Sequence, residues 1–391
     1  MQVKTLILGA GAAGLMCAAH AGPGSLIVDH AAAPGEKIRI SGGGRCNFTN
    51  LHAAPENFLS ANPHFAKSAL ARYTQWDFID LVERHRIAWH EKTLGQLFCD
   101  DSARQIVAML LAEADRAGAE LWLRTEIGEV SHDGRVFRVS LSSEGLATCV
   151  TARNLILATG GKSIPKMGAT GRAYEIATQF GLKIVTPRPG LVPLTFGDRF
   201  RPIAGTALPV RARAGGAEFE EAALFTHRGL SGPAVLQASS YWREGEEIAL
   251  DLSPGADLFE ALRAARRTDG RKALTTVLSG HLPARLVQYL GDTLPSGTLA
   301  DQSDAALRAL ADKLHDWRLT PAGSEGYRTA EVTLGGIGTD GLSSRDLEAK
   351  DVPGLFAIGE AVDVTGWLGG YNFQWAWSSG WAAGQAIAAR G

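Results

Sequence analysis

The residues Gly9-Ala10-Gly11-Ala12-Ala13-Gly14 follow directly on the apolar run Val3 to Leu8 and open an alanine-rich stretch, so the N-terminus reads as strand, glycine turn, helix, strand. A strand that turns this tightly into a helix commits the chain to a βαβ unit with a parallel sheet. Each glycine has a mechanical task. Gly9 permits the tight turn, Gly11 lets a pyrophosphate approach the backbone, and Gly14 lets the helix pack closely on the strand, with the helix start facing the phosphates. The second strand, Leu26 to Val28, ends at Asp29, about twenty residues past the first glycine, where a carboxylate accepts hydrogen bonds from a ribose 2′-OH. Motif, context and acidic residue agree on a dinucleotide site.

A secretory signal has a similar opening, because Lys4 precedes an apolar segment ending in Ala18, Ala19 and Ala21. Against it, glycines break the apolar stretch, a single basic residue leads it, and cleavage would remove the ribose-binding strand. No apolar run reaches the roughly eighteen residues of a spanning helix. The expectation is a soluble, cytoplasmic protein with no membrane partner.

The 391 residues, 45% of them hydrophobic, suffice for one large core and a smaller one. A net charge of -2 with both signs interspersed gives no broad basic field, so nucleic acid is not expected as a partner. Cys17, Cys46, Cys99 and Cys149 form no Cys-x-x-Cys pair, which fits a reducing compartment and excludes a dithiol mechanism. The histidines show no metal-ligand spacing, and no metal is expected.

A loop from Pro34 to Asn50 carries Ser41-Gly42-Gly43-Gly44-Arg45-Cys46-Asn47. One amphipathic helix is expected within Phe65 to Ile87 and another from Ser102, where Ser102 and Gln105 have capping-box spacing. Strand-like runs follow at Glu120 to Arg124, Arg135 to Leu141 and Asn154 to Leu157, the last running into Ala158-Thr159-Gly160-Gly161. From about Leu191 short β-like runs with Pro and Gly punctuation take over, followed by helical stretches from Lys272 to Leu290 and Asp304 to Leu314. The glycine-rich style returns at Glu331. The expected organisation is a discontinuous cofactor domain, 1–190 and 331–391, around an insert domain, 191–330.

Four segments together resemble one family: the N-terminal fingerprint, Ser41 to Asn47, Thr226 to Pro233, and Gly354 to Gly380 with its string Leu368-Gly369-Gly370-Tyr371-Asn372-Phe373-Gln374-Trp375. They are similar to the HI0933-like, or BaiN-like, flavoproteins. The resemblance implies FAD, an α/β fold with a glutathione-reductase-type FAD-binding Rossmann domain, and an inserted, mainly β domain carrying a small helical part. It implies cofactor contacts from Gly9, Gly11, Ala12, Ala13 and Gly14, and from Asp29 and His30. The Ser41 to Asn47 loop, with Gly42, Gly43, Gly44, Arg45 and Cys46, joins them. So do Ile127, Thr159, Gly160, Gly161, Gly335, Gly359, Glu360, Gly369, Gly370, Tyr371 and Asn372.

Backbone N–H groups after Gly370 could point at the flavin N1 and C2 carbonyl, where a helix terminus contributes roughly 0.3–2 kcal/mol for a nearby charge. At about 30 mV per 1.4 kcal/mol this tunes a two-electron potential by a few tens of millivolts. Glu360 either accepts a ribityl hydroxyl or caps the next helix at the surface. Arg45 either reaches a phosphate or fixes its own loop. Cys46, without a partner thiol, reads as packing rather than redox. Tyr371, His227 and Arg228 are the polar residues to test for catalysis, although a lone His is often structural. Trp367, Trp375 and Trp377 either wall a pocket or pack in the core.

Three lookalikes are set aside. Gly336 to Gly341 is followed by too short and polar a segment for a crossover helix. Gly161-Lys162-Ser163 lacks the first glycine of a phosphate loop, and Gly229 to Pro233 lacks the last glycine of a nucleophile elbow. With no second Rossmann unit, NAD(P)H is expected as a transient electron donor. The expected activity is an FAD-dependent oxidoreductase of a small, partly apolar substrate, with hydride passing through flavin N5. An NAD(P)H-driven reductase of an activated C=C bond is favoured over an amine or amino-acid oxidase using O2, and a non-enzymatic flavin redox sensor is the third reading. Oligomeric state is left open.

Overall fold

The computed structural model describes residues 1–390. The chain divides into two compact units, Met1–Arg188 with Val332–Gly391, and Pro189–Glu331.

In the first unit, β1 (Gln2–Leu8) leads through the glycine turn into α1 (Ala12–Ala18) and then β2 (Ser25–Val28). Strand β1 lies between β2 and the strand Leu146–Leu157, parallel to both; β2 pairs with Glu120–Trp122, and Leu155 to Leu157 pair with Leu355–Ala357. Leu6, Ile7, Leu8, Leu26, Leu155, Ile156 and Leu157 are fully buried, as strands covered on both faces require. Each such side chain contributes about 1.5–3 kcal/mol on burial. The first half of Leu146–Leu157 instead pairs antiparallel with Phe137–Ser143, which pairs with Thr125–His132.

The C-terminal helix, Tyr371–Ala388, packs on α1 at very short range. A Cβ on Gly380 would lie 2.5 Å from the Ala13 carbonyl oxygen, and one on Gly384 would lie 2.7 Å from that of Cys17. These two glycines, one helical turn apart, let the backbones touch. This contact fixes where the end of the chain meets the N-terminal turn.

The second unit is an antiparallel sheet in the order Trp317–Leu319, Ile248–Asp251, Ala207–Ala214, Ala217–Phe225, Gly229–Ser231, Leu194–Thr195, Gly323–Ser324. The helix Pro233–Tyr241 and a helical part, Leu258–Asp269, Leu274–Leu278, Ala284–Leu290 and Asp304–His315, complete it. The fold class is thus the expected one: an α/β cofactor fold carrying a mainly β insertion with a small helical part.

Several element boundaries differ from expectation. The helix expected within Phe65 to Ile87 is two, Lys67–Arg72 and Gln75–Arg84, because Thr74 caps the second through the Asp77 amide. Ser102 does not form the expected capping box: Ala103 takes the cap position, and the Ser102 hydroxyl accepts from the Arg104 amide instead. The stretch Lys272 to Leu290 breaks around Pro283, which cannot donate within a helix. The helix Leu258–Asp269 was not anticipated.

Candidate functional site

The glycine turn is built as steric necessity dictates. Gly9 sits at φ +112, and a Cβ there would lie 2.4 Å from the Ala158 carbonyl oxygen, so the turn presses against the segment leading to Thr159. A Cβ on Gly14 would lie 2.0 Å from the Gly9 carbonyl oxygen. Gly11, in contrast, caps α1 with ordinary backbone angles, and an added Cβ would meet nothing within 4 Å. The space over Gly11 is open. The first amides of α1, including those of Ala12 and Ala13, have no partner within the helix.

Asp29 closes this turn from the second strand. Its carboxylate accepts from the Ala10 amide at 2.7 Å and the Ala31 amide at 2.9 Å. Since an ionised carboxylate offers about four acceptor positions, two remain. His30 lies 3.4 Å from the same carboxylate and packs beneath Gly168, where a Cβ would fall 1.9 Å from its Nε2.

Four distant segments meet beside the turn in a polar knot. Lys37, on α2 (Glu36–Ile40), places its Nζ 2.6 Å from Glu360 Oε2 and donates to Ser163 Oγ at 2.5 Å. Ser163 Oγ donates to Glu360 Oε1 at 2.9 Å, and the Thr333 amide donates to the same oxygen at 3.0 Å. Thr333 Oγ1 in turn accepts from the amides of Lys162 and Ser163. Glu360 is therefore no surface cap. Three of its acceptor positions are engaged, and Lys37 neutralises its charge. Gly161 must be glycine here, since a Cβ would lie 2.4 Å from Thr333 Oγ1.

Gly359 joins this knot to both helices. Its φ is +63, a Cβ would meet Ala13 at 2.7 Å, its amide donates to Ser379 Oγ at 3.0 Å, and its carbonyl accepts from Trp375 Nε1 at 3.0 Å. Trp375 and Trp377 are core residues: Trp377 stacks on Phe78 at 4.4 Å and donates to the Phe48 carbonyl. Thr159 Oγ1 accepts from the Ala173 amide. Gly160, at φ +74, faces open space.

The loop Ser41–Gly44 runs through consecutive left-handed glycines, Gly42, Gly43 and Gly44 at φ 56, 67 and 85, before Cys46 at φ 53. Gly42 packs against the Phe98 ring, whereas Gly43 has nothing within 4 Å of an added Cβ. The Ser41 hydroxyl donates to the Ile38 carbonyl. Arg45 is exposed, and its carbonyl accepts from the Cys99 amide. Cys46 is fully buried, and burial pushes its thiol well above the ordinary range, which leaves it unreactive.

Gly369 and Gly370 lead into the C-terminal helix at φ +111 and +95. Gly370 lies against Thr49 and Asn47, Gly369 against Gln96, and Asn50 Nδ2 donates to the Gly369 carbonyl at 2.9 Å. Asn372 clamps this loop, accepting from the Gly366 amide and donating to the Gly366 carbonyl, both at 2.8 Å. Tyr371 is buried, with its ring edge-on to Phe58 and Trp367.

Four predicted residues stand apart. Gly335, at φ +76, is buried against the backbone of Val185 and Thr186. Ile127 is half-buried in the strand Thr125–His132, next to a register shift. His227 and Arg228 are exposed in the other unit, on the turn between Ala217–Phe225 and Gly229–Ser231. Sequence reasoning missed Lys37, Ser163, Thr333, Asn50 and Gln96. Their partners lie far along the chain, and no local pattern marks them.

An added Cβ at Gly11, Gly43 or Gly160 would meet nothing within 4 Å, so a ligand can approach the backbone at each; an extended ligand carrying phosphates requires this, and the residues present fit FAD in this respect. Among the described residues no group of three or more His, Cys, Asp or Glu side chains is arranged to hold a metal ion, and no helix is long and apolar enough to cross a membrane.

Fold and site together define an FAD-dependent oxidoreductase with a Rossmann-type cofactor unit. The chain belongs to the HI0933-like family, whose Rossmann-domain description matches residues 3–386. A relative from Escherichia coli (strain K12), the ribosomal RNA dihydrouridine synthase, is 52% identical over 99% of this chain and 98% of its own length. The 3-dehydro-bile acid delta(4,6)-reductase of Clostridium scindens is 28% identical over 98% of both chains. The solved 3-ketosteroid-delta4-(5alpha)-dehydrogenase of Rhodococcus jostii RHA1 shares the fold with a TM-score of 0.54 at 15% identity, covering 99% of this chain and 97% of that one.

Proposed function

We propose that the protein reduces the C5=C6 double bond of a uridine in ribosomal RNA, forming dihydrouridine. The observation that carries this is the 52% identity to the E. coli synthase, which runs through both units and leaves no part of either chain unmatched in bulk. The more distant bile acid reductase points to the same chemistry. In a 3-oxo-Δ4 steroid and in uracil alike, the reduced C=C bond is conjugated to a carbonyl, so hydride adds at the β-carbon and a proton at the α-carbon. This is the activated C=C bond expected from sequence, but on a nucleobase within RNA rather than on a small, partly apolar molecule. The expectation that nucleic acid is no partner is given up in this reading. Net charge averages over the whole surface, whereas RNA binding needs only local cations.

Bound FAD, once reduced, supplies the hydride from its N5. Overall, uridine gains a hydride at C6 and a proton at C5 while NAD(P)H is oxidised to NAD(P)+. The amides around Gly11, Ala12 and Ala13 are assigned to the pyrophosphate, Asp29 to the adenosine ribose, and the free acceptor position of Glu360 to the ribityl chain. Lys37 cancels the Glu360 charge where phosphates must approach, and Asn372 holds the Gly366 to Gly370 loop in shape for the flavin ring. Tyr371 and His227 are the groups assigned to test as donors of the C5 proton. No observation favours the oxidase or sensor readings.

The test is anaerobic stopped-flow spectroscopy. NADPH or NADH bleaches the flavin band, and a ribosomal RNA transcript made without modifications then restores it at a rate that rises with RNA concentration. Reduced flavin that stays reduced in the presence of the transcript, yet reoxidises in air, overturns the proposal.

A further inference from the structure

The chain as a whole is nearly neutral, with 39 basic and 41 acidic residues, but residues 263–272 carry five basic side chains, Arg263, Arg266, Arg267, Arg271 and Lys272, against the single acid Asp269. Arg263 and Arg267 lie one helical turn apart on Leu258–Asp269, and Gly270 continues the helical backbone (φ -53, ψ -27) toward Arg271, so the three share a face at spacings of four. Leu258, Phe259 and Leu262 are the residues this helix buries. Arg267, Arg271 and Lys272 are exposed.

The acids nearby do not balance this face. Arg263 pairs with Glu260, Lys272 with Asp269, and Arg266 with Asp304. The hydrogen bond from Arg266, followed by the charges of Arg266, Arg263 and Arg267, holds the Asp304 carboxyl below its usual range, so three guanidinium groups converge on one carboxylate. On the neighbouring helix Asp304–His315, the exposed Arg308 lies 3.7 Å over the Phe259 ring and adds a further cation. A helix C-terminus favours cations in its last turn, which accounts for Arg266 and Arg267 but not for Arg271, Lys272 or Arg308.

We infer that this arginine stripe, on the helical part of the second unit, is a docking surface for the phosphodiester backbone of RNA. The inference rests on the reading of the substrate as ribosomal RNA. It assigns the stripe to holding the RNA without reading its sequence, because phosphate contacts position a nucleic acid while base contacts specify it. Guanidinium groups suit phosphate oxygens through paired N–H donors.

The test uses full-length, FAD-loaded protein and a fluorescein-labelled, unmodified ribosomal RNA transcript, with affinity measured by anisotropy across a range of KCl concentrations. The double variant R267E/R271E alters two exposed side chains, so FAD content and melting temperature stay at wild-type values. Its affinity falls at least about tenfold near 0.1 M salt, and the slope of log K against log salt becomes shallower by about 1.4, at roughly 0.7 per lost phosphate contact. The conservative variant R267K/R271K retains most of the affinity. Unchanged affinity and slope in R267E/R271E overturn the docking surface even if the wild type makes dihydrouridine. A wild type that binds RNA through the stripe but makes no dihydrouridine retains the surface and overturns the proposed reaction.

Discussion

Replacing Gly11 with Val should separate the cofactor from the fold. Gly11 has φ -84 and ψ -169, which any residue adopts, and its missing Cβ faces open space, so the protein itself tolerates the larger side chain. The folding cost is that of a β-branched residue in place of Gly at a helix N-cap, about 1 kcal/mol. A pyrophosphate resting on this turn is pushed outward by the valine and loses its short contacts to the α1 amides. Losing two hydrogen bonds to a charged group, at about 1.5–3 kcal/mol each, costs about 3–6 kcal/mol. At 1.4 kcal/mol per decade, FAD affinity falls by about 10² to 10⁴. The assay is the ratio of flavin to protein absorbance after purification, followed by calorimetric titration of the apoprotein with FAD. Gly14→Ala is the contrasting control, because its Cβ would lie 2.0 Å from the Gly9 carbonyl oxygen and must disturb the fold itself. A Gly11→Val protein that purifies yellow, with one FAD per chain and wild-type affinity, refutes the placement of the pyrophosphate.

Gly380→Ala should lower stability by about 1–3 kcal/mol, read as a loss of melting temperature in the apoprotein, because the new methyl would sit 2.5 Å from the Ala13 carbonyl oxygen. A thiol reagent should label native protein at Cys149 alone and leave turnover unchanged, since Cys17, Cys46 and Cys99 are buried and burial pushes the Cys17 thiol up to about 12; loss of activity on labelling would contradict it. Asp363 is buried, and desolvation raises its carboxyl above the usual value despite the hydrogen bond from the Ala61 amide. A carboxyl raised in the folded state favours folding only while protonated, so that contribution fades as pH climbs from about 4 through the folded value. The stability difference between Asp363→Asn and wild type, measured by denaturant titration, should therefore move in the variant's favour from about pH 4 to 7, and a constant difference would refute the assignment. Tyr371→Phe should keep FAD bound and slow RNA-dependent flavin reoxidation; unchanged reoxidation clears Tyr371 of a role in proton delivery.

The strand, glycine turn and helix at the N-terminus were legible because their determinants are local: a buried apolar run, a required left-handed glycine and a carboxylate ending the next strand. The Lys37–Glu360–Ser163–Thr333 knot was not, because Lys37 and Glu360 are 323 positions apart and only the folded sheet brings them together. Gly380 closes a motif valued for its cofactor resemblance and Gly384 lies just beyond it, though the task of both is to let two helices touch. Ser102 showed that a capping pattern loses to a neighbouring residue when the chain enters the helix one position later. The helix Leu258–Asp269 was overlooked because its buried stripe is short and arginines dominate the rest. The same oversight hid the one strongly basic run in a near-neutral chain, and with it the only compositional hint of an anionic polymer.

The most direct test of the central claim is nucleoside mass spectrometry. FAD-loaded protein is incubated anaerobically with NADPH and an unmodified ribosomal RNA transcript, and the RNA is then digested and analysed. The account predicts a uridine heavier by two hydrogens, mapped to a discrete position and absent without enzyme or NADPH. RNA that returns with every uridine unreduced, from protein whose flavin NADPH does reduce, would contradict it.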